Sequence, residues 1–253
     1  MLQSLIIAFS MYSKIPMPKV EWSEKNRKYC LAFFPFVGAV IGICQLLVWY
    51  LMNRLATEKT IAAVLLTVLP ILISGGIHMD GFLDTIDAKS SWKPQEERLR
   101  ILKDSHAGAF AVIYGGVYLL LTFGLYTELM GSKLPLIAVG YAYERVLSGW
   151  SLVTFKKARK DGMAAEAAKA SEAKVKWILT AEGALCVGVL LWLNPIYGGL
   201  MAITGMCCLG YYRYVAYRYF GGTTGDLAGY FLQICELMML MAVVLVEKLQ
   251  LFG

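Results

Sequence analysis

Apolar residues in this chain come in long unbroken runs rather than in the alternation of a strand or the stripe of a soluble helix. About 20 such residues are enough to cross a bilayer as a helix. Seven runs approach or exceed that length: Leu31–Met52, Thr60–Met79, Ala107–Thr127, Leu134–Phe155, Trp177–Leu193, Pro195–Tyr212 and Leu227–Val246. The fifth is the shortest, contains Glu182 and is followed at once by Pro195. Together they predict an all-α fold, a polytopic integral membrane helical bundle of about seven transmembrane helices. Ahead of them, Leu2, Leu5, Ile6, Phe9 and Tyr12 recur at helical spacing. That predicts a short N-terminal interfacial helix, ended by Pro16 and Pro18. A secretory signal needs positive charge before its apolar stretch, whereas here Lys14 comes after it.

The polar segments between the runs are unequal. Of 24 Lys and Arg, 19 fall in alternate connecting segments and 4 in the others, with Arg145 inside a run. The positive-inside rule then places the N-terminus in the cytoplasm and the C-terminus outside. The cytoplasmic loops are expected at 80–106, 156–176 and 213–226 of a single transmembrane domain, 1–253. Composition agrees: 58% of residues are apolar and only 17% charged, against roughly 25% charged in soluble domains. Disorder is excluded by that hydrophobicity. Six cysteines with no C-x-x-C pair exclude a zinc ribbon and a disulfide scaffold. No repeat at a fixed period and no low-complexity linker divides the chain, and no nucleic-acid partner is expected.

Acids are scarce, yet they crowd GGIHMDGFLDTIDA, residues 75–88. Asp80, Asp84 and Asp87 are spaced i, i+4, i+7, which puts three carboxylates on one helix face. Like charges at that spacing repel. A hard divalent cation, with waters and phosphate oxygens as its remaining ligands, relieves the repulsion. A solvated acidic helix start is the plainer reading of any two of them; three on one face, with His78 alongside, favour metal. The same loop closes with ILKDSHAGAF (101–110), so both histidines of the chain, His78 and His106, flank one acidic segment. Lys103, Ser105 and the N–H groups near Gly108 are candidates to hold an anion at the start of the third run.

FGGTTGDLAGY (220–230) is a further candidate, with Thr223, Thr224, Gly225 and Asp226 able to wrap N–H groups and hydroxyls around a phosphate. The charge count puts it on the same side of the membrane as the Asp cluster. Inside the runs lie Glu144, Arg145, Glu182 and Glu236. Intramembrane charges face a cavity or one another, and Arg145 reads either as a phosphate clamp or as the partner of an acid.

These residues resemble one family, the cobalamin synthases, which are membrane-bound adenosylcobinamide-GDP ribazoletransferases. The resemblance runs from SKIPMP (13–18) and FFPFVGAVIG (33–42) through GGIHMDGFLDTIDA and ILKDSHAGAF to GGTTGDLAGY and Glu236. The family commonly carries Arg after the Asp-Ser pair, where this chain has His106; substrate-phosphate contact or loop stabilisation is therefore expected of His106, not metal ligation. The resemblance implies a magnesium-dependent (Mg2+) transfer in a bacterial or archaeal cytoplasmic membrane, with the active site facing the cytoplasm. The partners implied are a corrinoid-GDP donor, a ribazole acceptor (α-ribazole or its 5′-phosphate) and the lipid bilayer; a homo-oligomer is left open. A ribose hydroxyl attacks the cobinamide-side phosphorus and GMP leaves. Asp80, Asp84 and Asp87 are then assigned to metal, with Asp104 completing the site or acting as base. Asp226 and Thr223–Gly225 are assigned to the second substrate or a guanosine phosphate. Two rivals fit less well. A CDP-alcohol phosphatidyltransferase needs D-x-x-D-G-x-x-A-R, which is absent, and a cation transporter tends to carry repeats and midplane acids.

Overall fold

The computed structural model describes residues 1–104, 106–129, 131–159, 162–171 and 173–251. Among these it contains twelve α-helices and no strand: α1 (Leu2–Tyr12), α2 (Glu24–Arg27), α3 (Phe34–Arg54), α4 (Lys59–Ser74), α5 (Ile77–Ser90), α6 (Gln95–Ile101), α7 (Ala109–Glu128), α8 (Leu134–Thr154), α9 (Met163–Ala170), α10 (Val175–Leu193), α11 (Pro195–Phe220) and α12 (Gly225–Leu251). Every expected run is helical. By length and apolarity α7, α10, α12 and the segment containing α3 qualify as membrane spans, and α4 with α5 forms a bent fifth candidate. The helices α8 and α11 have 21 and 26 residues. Each is diluted in apolarity, α8 by Glu144 and Arg145 and α11 by glycine and tyrosine. Outward faces carry Val112, Leu120, Ile203 and Leu245, all exposed, as contact with lipid requires. The fold is thus an all-α membrane helical bundle.

Three boundaries differ from the sequence expectation. The second run was expected to continue to Met79, but α4 stops at Ser74. Gly75 and Gly76 both adopt left-handed backbone, with φ of +67° and +78°, a conformation glycine enters without a Cβ penalty. The chain turns there by 93°, so His78 and the acids sit on a separate helix, α5, lying across one end of the bundle. The expected loop 80–106 is therefore mostly α5 and α6. The sixth run was expected to end at Tyr212; α11 continues to Phe220 and closes at Gly221, φ +74°, which reduces the expected loop 213–226 to a short turn. The short N-terminal helix α1 packs on the bundle: Ile7 and Ala8 are fully buried, and the chain after it is tied to α4 by Lys14 N–H donating to the Ile73 carbonyl at 2.7 Å.

Glycine sets the close helix contacts. Gly38 and Gly42 of α3 lie on the backbone of α8, where a Cβ would fall 2.1 Å from the Tyr141 carbonyl oxygen and 2.3 Å from that of Ala138. Small residues at this spacing let membrane helices approach backbone to backbone. The contact between α5 and α12 is made reciprocally. A Cβ on Gly81 would lie 2.6 Å from the Asp226 carbonyl oxygen, and one on Gly229 would lie 2.8 Å from the His78 carbonyl oxygen. Since α5 also packs on α7, its acids are held between the first turns of α7 and α12.

Gly81→Ala and Gly229→Ala are each expected to lower thermal stability in detergent by about 1–3 kcal/mol, the usual cost of overpacking. Gly116→Ala in α7 is the control, because nothing lies within 4 Å of its added methyl and alanine is the better helix former. It should be neutral or stabilising. Equal losses at all three positions would contradict a close α5–α12 contact.

Candidate active site

A cavity of about 440 Å³ opens at the end of the bundle crossed by α5. Its walls come from distant parts of the chain: Met11 and Tyr12 of α1, Phe34 of α3, Ile77, His78 and Asp80 of α5, and Leu102 and Lys103 beyond α6. Ser148 and Leu152 of α8, Lys157, Arg159 and Gly162 after it, and Thr223–Asp226 with Ala228, Gly229 and Leu232 of α12 complete them. Of the residues singled out from sequence, His78, Asp80, Lys103, Thr223, Thr224, Gly225 and Asp226 are thereby brought to one cavity.

The turn before α12 is held in place by the strand-like segment after α8. Thr223 N–H donates to the Lys156 carbonyl at 2.8 Å, and Ala158 N–H donates to the Thr223 carbonyl at 3.0 Å. Gly222 is required there: its φ is +157°, and a Cβ would lie 2.6 Å from Ala158 N and the Lys156 carbonyl oxygen. The Thr224 hydroxyl accepts from Leu227 N–H at 3.2 Å, capping the first turn of α12. It also donates to Asp226 Oδ2 at 3.3 Å.

This bridge delivers two cations from the expected loop 156–176 to the cavity. Arg159 pairs with Asp226, Nη2 to Oδ2 at 2.8 Å. Lys157 donates to the Leu152 carbonyl and, at 3.4 Å, to the Thr223 hydroxyl. Burial lowers the Lys157 pKa to about 8, because desolvation disfavours its charged form. The available signal was position: Lys157-x-Arg159 follows directly on the end of a run, on the side where the acids lie.

The acids divide by role. Asp80 stands exposed at the cavity rim. Asp84 is half-buried one helical turn away, and its pKa is pushed up to about 7 by burial and then by the carboxylates of Asp80, Asp226, Asp87 and Asp104. Asp87, expected as a metal ligand, faces elsewhere. Its two oxygens accept the N–H groups of Gly108 at 2.5 Å and Ala111 at 2.9 Å, so it caps α7, and it does not line the cavity. Asp104 is likewise off the wall, exposed and engaged with His106. It accepts from the His106 N–H at 3.0 Å and lies 2.7 Å from the ring Nδ1, contacts that hold its carboxyl below the usual range. His106 therefore stabilises this loop and does not reach the cavity. Ser105 lies outside the described residues. Among the described residues, no three His, Cys, Asp or Glu side chains converge on one metal position.

Arg145 does not line the cavity. It is 1% exposed inside α8, where it pairs with Glu144 and, at 3.6 Å, with Glu236 of α12. Glu236 in turn accepts from Tyr118 at 3.2 Å and Gln233 at 3.3 Å. The acid-partner reading of Arg145 is the one realised. His78 is also buried, packed against Tyr12 and Phe34 with ring centroids 6.2 and 5.7 Å away.

Residues 4–244 match the family model described as cobalamin-5-phosphate synthase. A relative from Lachnoclostridium phytofermentans, named adenosylcobinamide-GDP ribazoletransferase, is 46% identical over 253 residues, covering 100% of this chain and 97% of its own length. Relatives with the same name from Desulfitobacterium hafniense and Rhizobium johnstonii are each 30% identical, covering 95% and 93% of this chain and 96% and 94% of their own lengths. No solved structure matches the chain.

The placement of Asp87 gives a direct test. Asp87→Ala should destabilise the protein by about 1–2 kcal/mol, the cost of losing a helix N-cap, read as a lower thermal midpoint without added metal. An unchanged midpoint, with loss of metal binding instead, would return Asp87 to the ligand set.

Proposed function

Because the chain belongs to the cobalamin-5-phosphate synthase family, we propose that it is an adenosylcobinamide-GDP ribazoletransferase acting at this cavity. A hydroxyl of α-ribazole, or of its 5′-phosphate, forms a bond to the cobinamide-side phosphorus of the donor. The diphosphate P–O bond breaks and GMP departs with the electron pair. The observation that carries the reading is that Asp80 of α5 and Asp226 of α12, remote in sequence, line one cavity with Lys103, Lys157 and Arg159.

Transfer of this kind is mostly positioning and electrostatics, and the residues divide accordingly. Lys157, Arg159, Thr223 and Thr224 line the place for a diphosphate, and Lys103 adds charge to the same cavity. Asp80, Asp84 and Asp226 supply the hard oxygen donors that magnesium prefers. Magnesium is usually bound by one or two carboxylates together with waters and substrate phosphates, rather than by a closed protein cage. A pair of rim carboxylates with a third close behind suits that habit. When bound, the metal would neutralise charge on the diphosphate and the departing GMP. Arg159 balances Asp226 in its absence. In this arrangement Asp87 caps α7 and Asp104 pairs with His106. The end bearing the cavity is assigned to the cytoplasm, because it carries the Lys- and Arg-rich segments.

The test is full-length protein in detergent or reconstituted bilayers, supplied with donor and acceptor, with GMP release followed with and without magnesium. Release should require magnesium. Asp80→Asn should reduce turnover by about 100- to 1,000-fold, as loss of one preorganised electrostatic group does. Its metal-free thermal midpoint should not fall, since one of several repelling charges is removed. Near-normal GMP release by Asp80→Asn would move the chemistry away from this cavity.

A further inference from the structure

We propose that the inner end of the cavity binds the guanine base of the donor, with the phosphates toward the mouth and the corrin outside it. This deepens the transferase reading and rests on it. Three cavity-lining side chains from three helices carry buried polar atoms with no hydrogen-bond partner in the protein: Tyr12 Oη, His78 Nε2 and Ser148 Oγ. The residues are 7%, 5% and 0% exposed. Buried polar groups are nearly always paired, and leaving them unpaired costs folding free energy. Three orphans on one cavity wall therefore mark a place where a ligand supplies the missing partners.

The surroundings define the ligand's shape. Phe34, 1% exposed, has its ring centroid 4.2 Å from that of Tyr12 and 5.7 Å from that of His78. An aromatic wall with hydrogen-bonding atoms around it suits a flat heterocycle. Of the two bases in the reaction, guanine presents several ring-edge donors and acceptors, enough for all three groups. The benzimidazole of ribazole has one free ring nitrogen and would leave two of them unpaired. A cavity of about 440 Å³ is of a size for a nucleoside monophosphate, whereas the substituted corrin macrocycle is too large for it. Charge is available for the phosphates in the same cavity, from Lys157 and Arg159.

The experiment measures GMP and CMP binding to the full-length protein by equilibrium dialysis with magnesium, alongside GMP release from the donor and the KM for ribazole. Wild-type protein should bind GMP in preference to CMP. Tyr12→Phe and Ser148→Ala, which each delete one oxygen, should weaken GMP about tenfold, the effect of one lost buried hydrogen bond, and narrow the preference. The KM for ribazole should stay unchanged, and thermal midpoints report whether each variant is folded. The proposal is overturned if wild-type protein turns over donor yet shows no GMP preference, or if folded variants keep wild-type GMP affinity. It is equally overturned if the variants raise the KM for ribazole instead, which would seat the acceptor in the inner end. Absence of donor turnover in wild-type protein would refute the transferase reading itself, and this inference with it.

Discussion

Backbone-to-backbone contact between α5 and α12 is the constraint on which the rest of the site depends. Gly81 rests on the main chain of Asp226, and Gly229 rests on that of His78. A side chain at either point would separate the helices. The residue before Gly81 is Asp80, and Asp226 is itself the surface that Gly81 touches, so the contact that fixes the crossing also brings the two carboxylates to one cavity. His78, on the other half of the crossing, is pressed into the wall formed by Tyr12 and Phe34. Burial and then the neighbouring carboxylates raise the Asp84 pKa, and the second effect follows from the same closeness. A helix bearing three acids would not choose this position unaided; the glycine contacts and the Asp87 cap on α7 hold it there.

The interior of the bundle supports that end. Arg145, Glu144 and Glu236 join α8 to α12 through a buried ion network, an expensive arrangement in a membrane that is sustained only by paired charges. Glycine contacts bind α3 to the same helix. With α3 and α12 both anchored on α8, the segment leaving α8 has a defined start. It can therefore meet the Gly222–Thr223 turn in register and present Lys157 and Arg159 to the cavity.

Much of this was legible in the sequence, and the exceptions have physical causes. Long apolar runs announced the helices, and a dense acidic motif announced one side of the cavity. The break at Gly75–Gly76 was hidden because apolar residues continue through it to Met79 and hydropathy does not register φ. Helical spacing placed Asp87 with Asp80 and Asp84, but could not show that a neighbouring helix would offer its free N–H groups to one of the three. Asp104 and His106 looked like site residues by adjacency and instead satisfy each other. Lys157 and Arg159 went unremarked within a basic segment of ordinary appearance. Their role depends on a bridge to a turn some 65 residues away, and that pairing leaves no periodic trace. Tyr12 reads as a residue of the N-terminal helix, and Phe34 and Ser148 as apolar-run residues, because only tertiary packing shows that their neighbours leave a cavity.

The central claim is that α5 and α12 contribute to one site rather than two. A double-mutant cycle on GMP release with Asp80→Asn, Asp226→Asn and the pair tests it most directly, because groups acting as a unit are strongly non-additive. With one shared site, the double variant should be little slower than the slower single variant. If the two losses instead multiply, the carboxylates act independently, and the cavity at the α5–α12 crossing is not the place where both do their work.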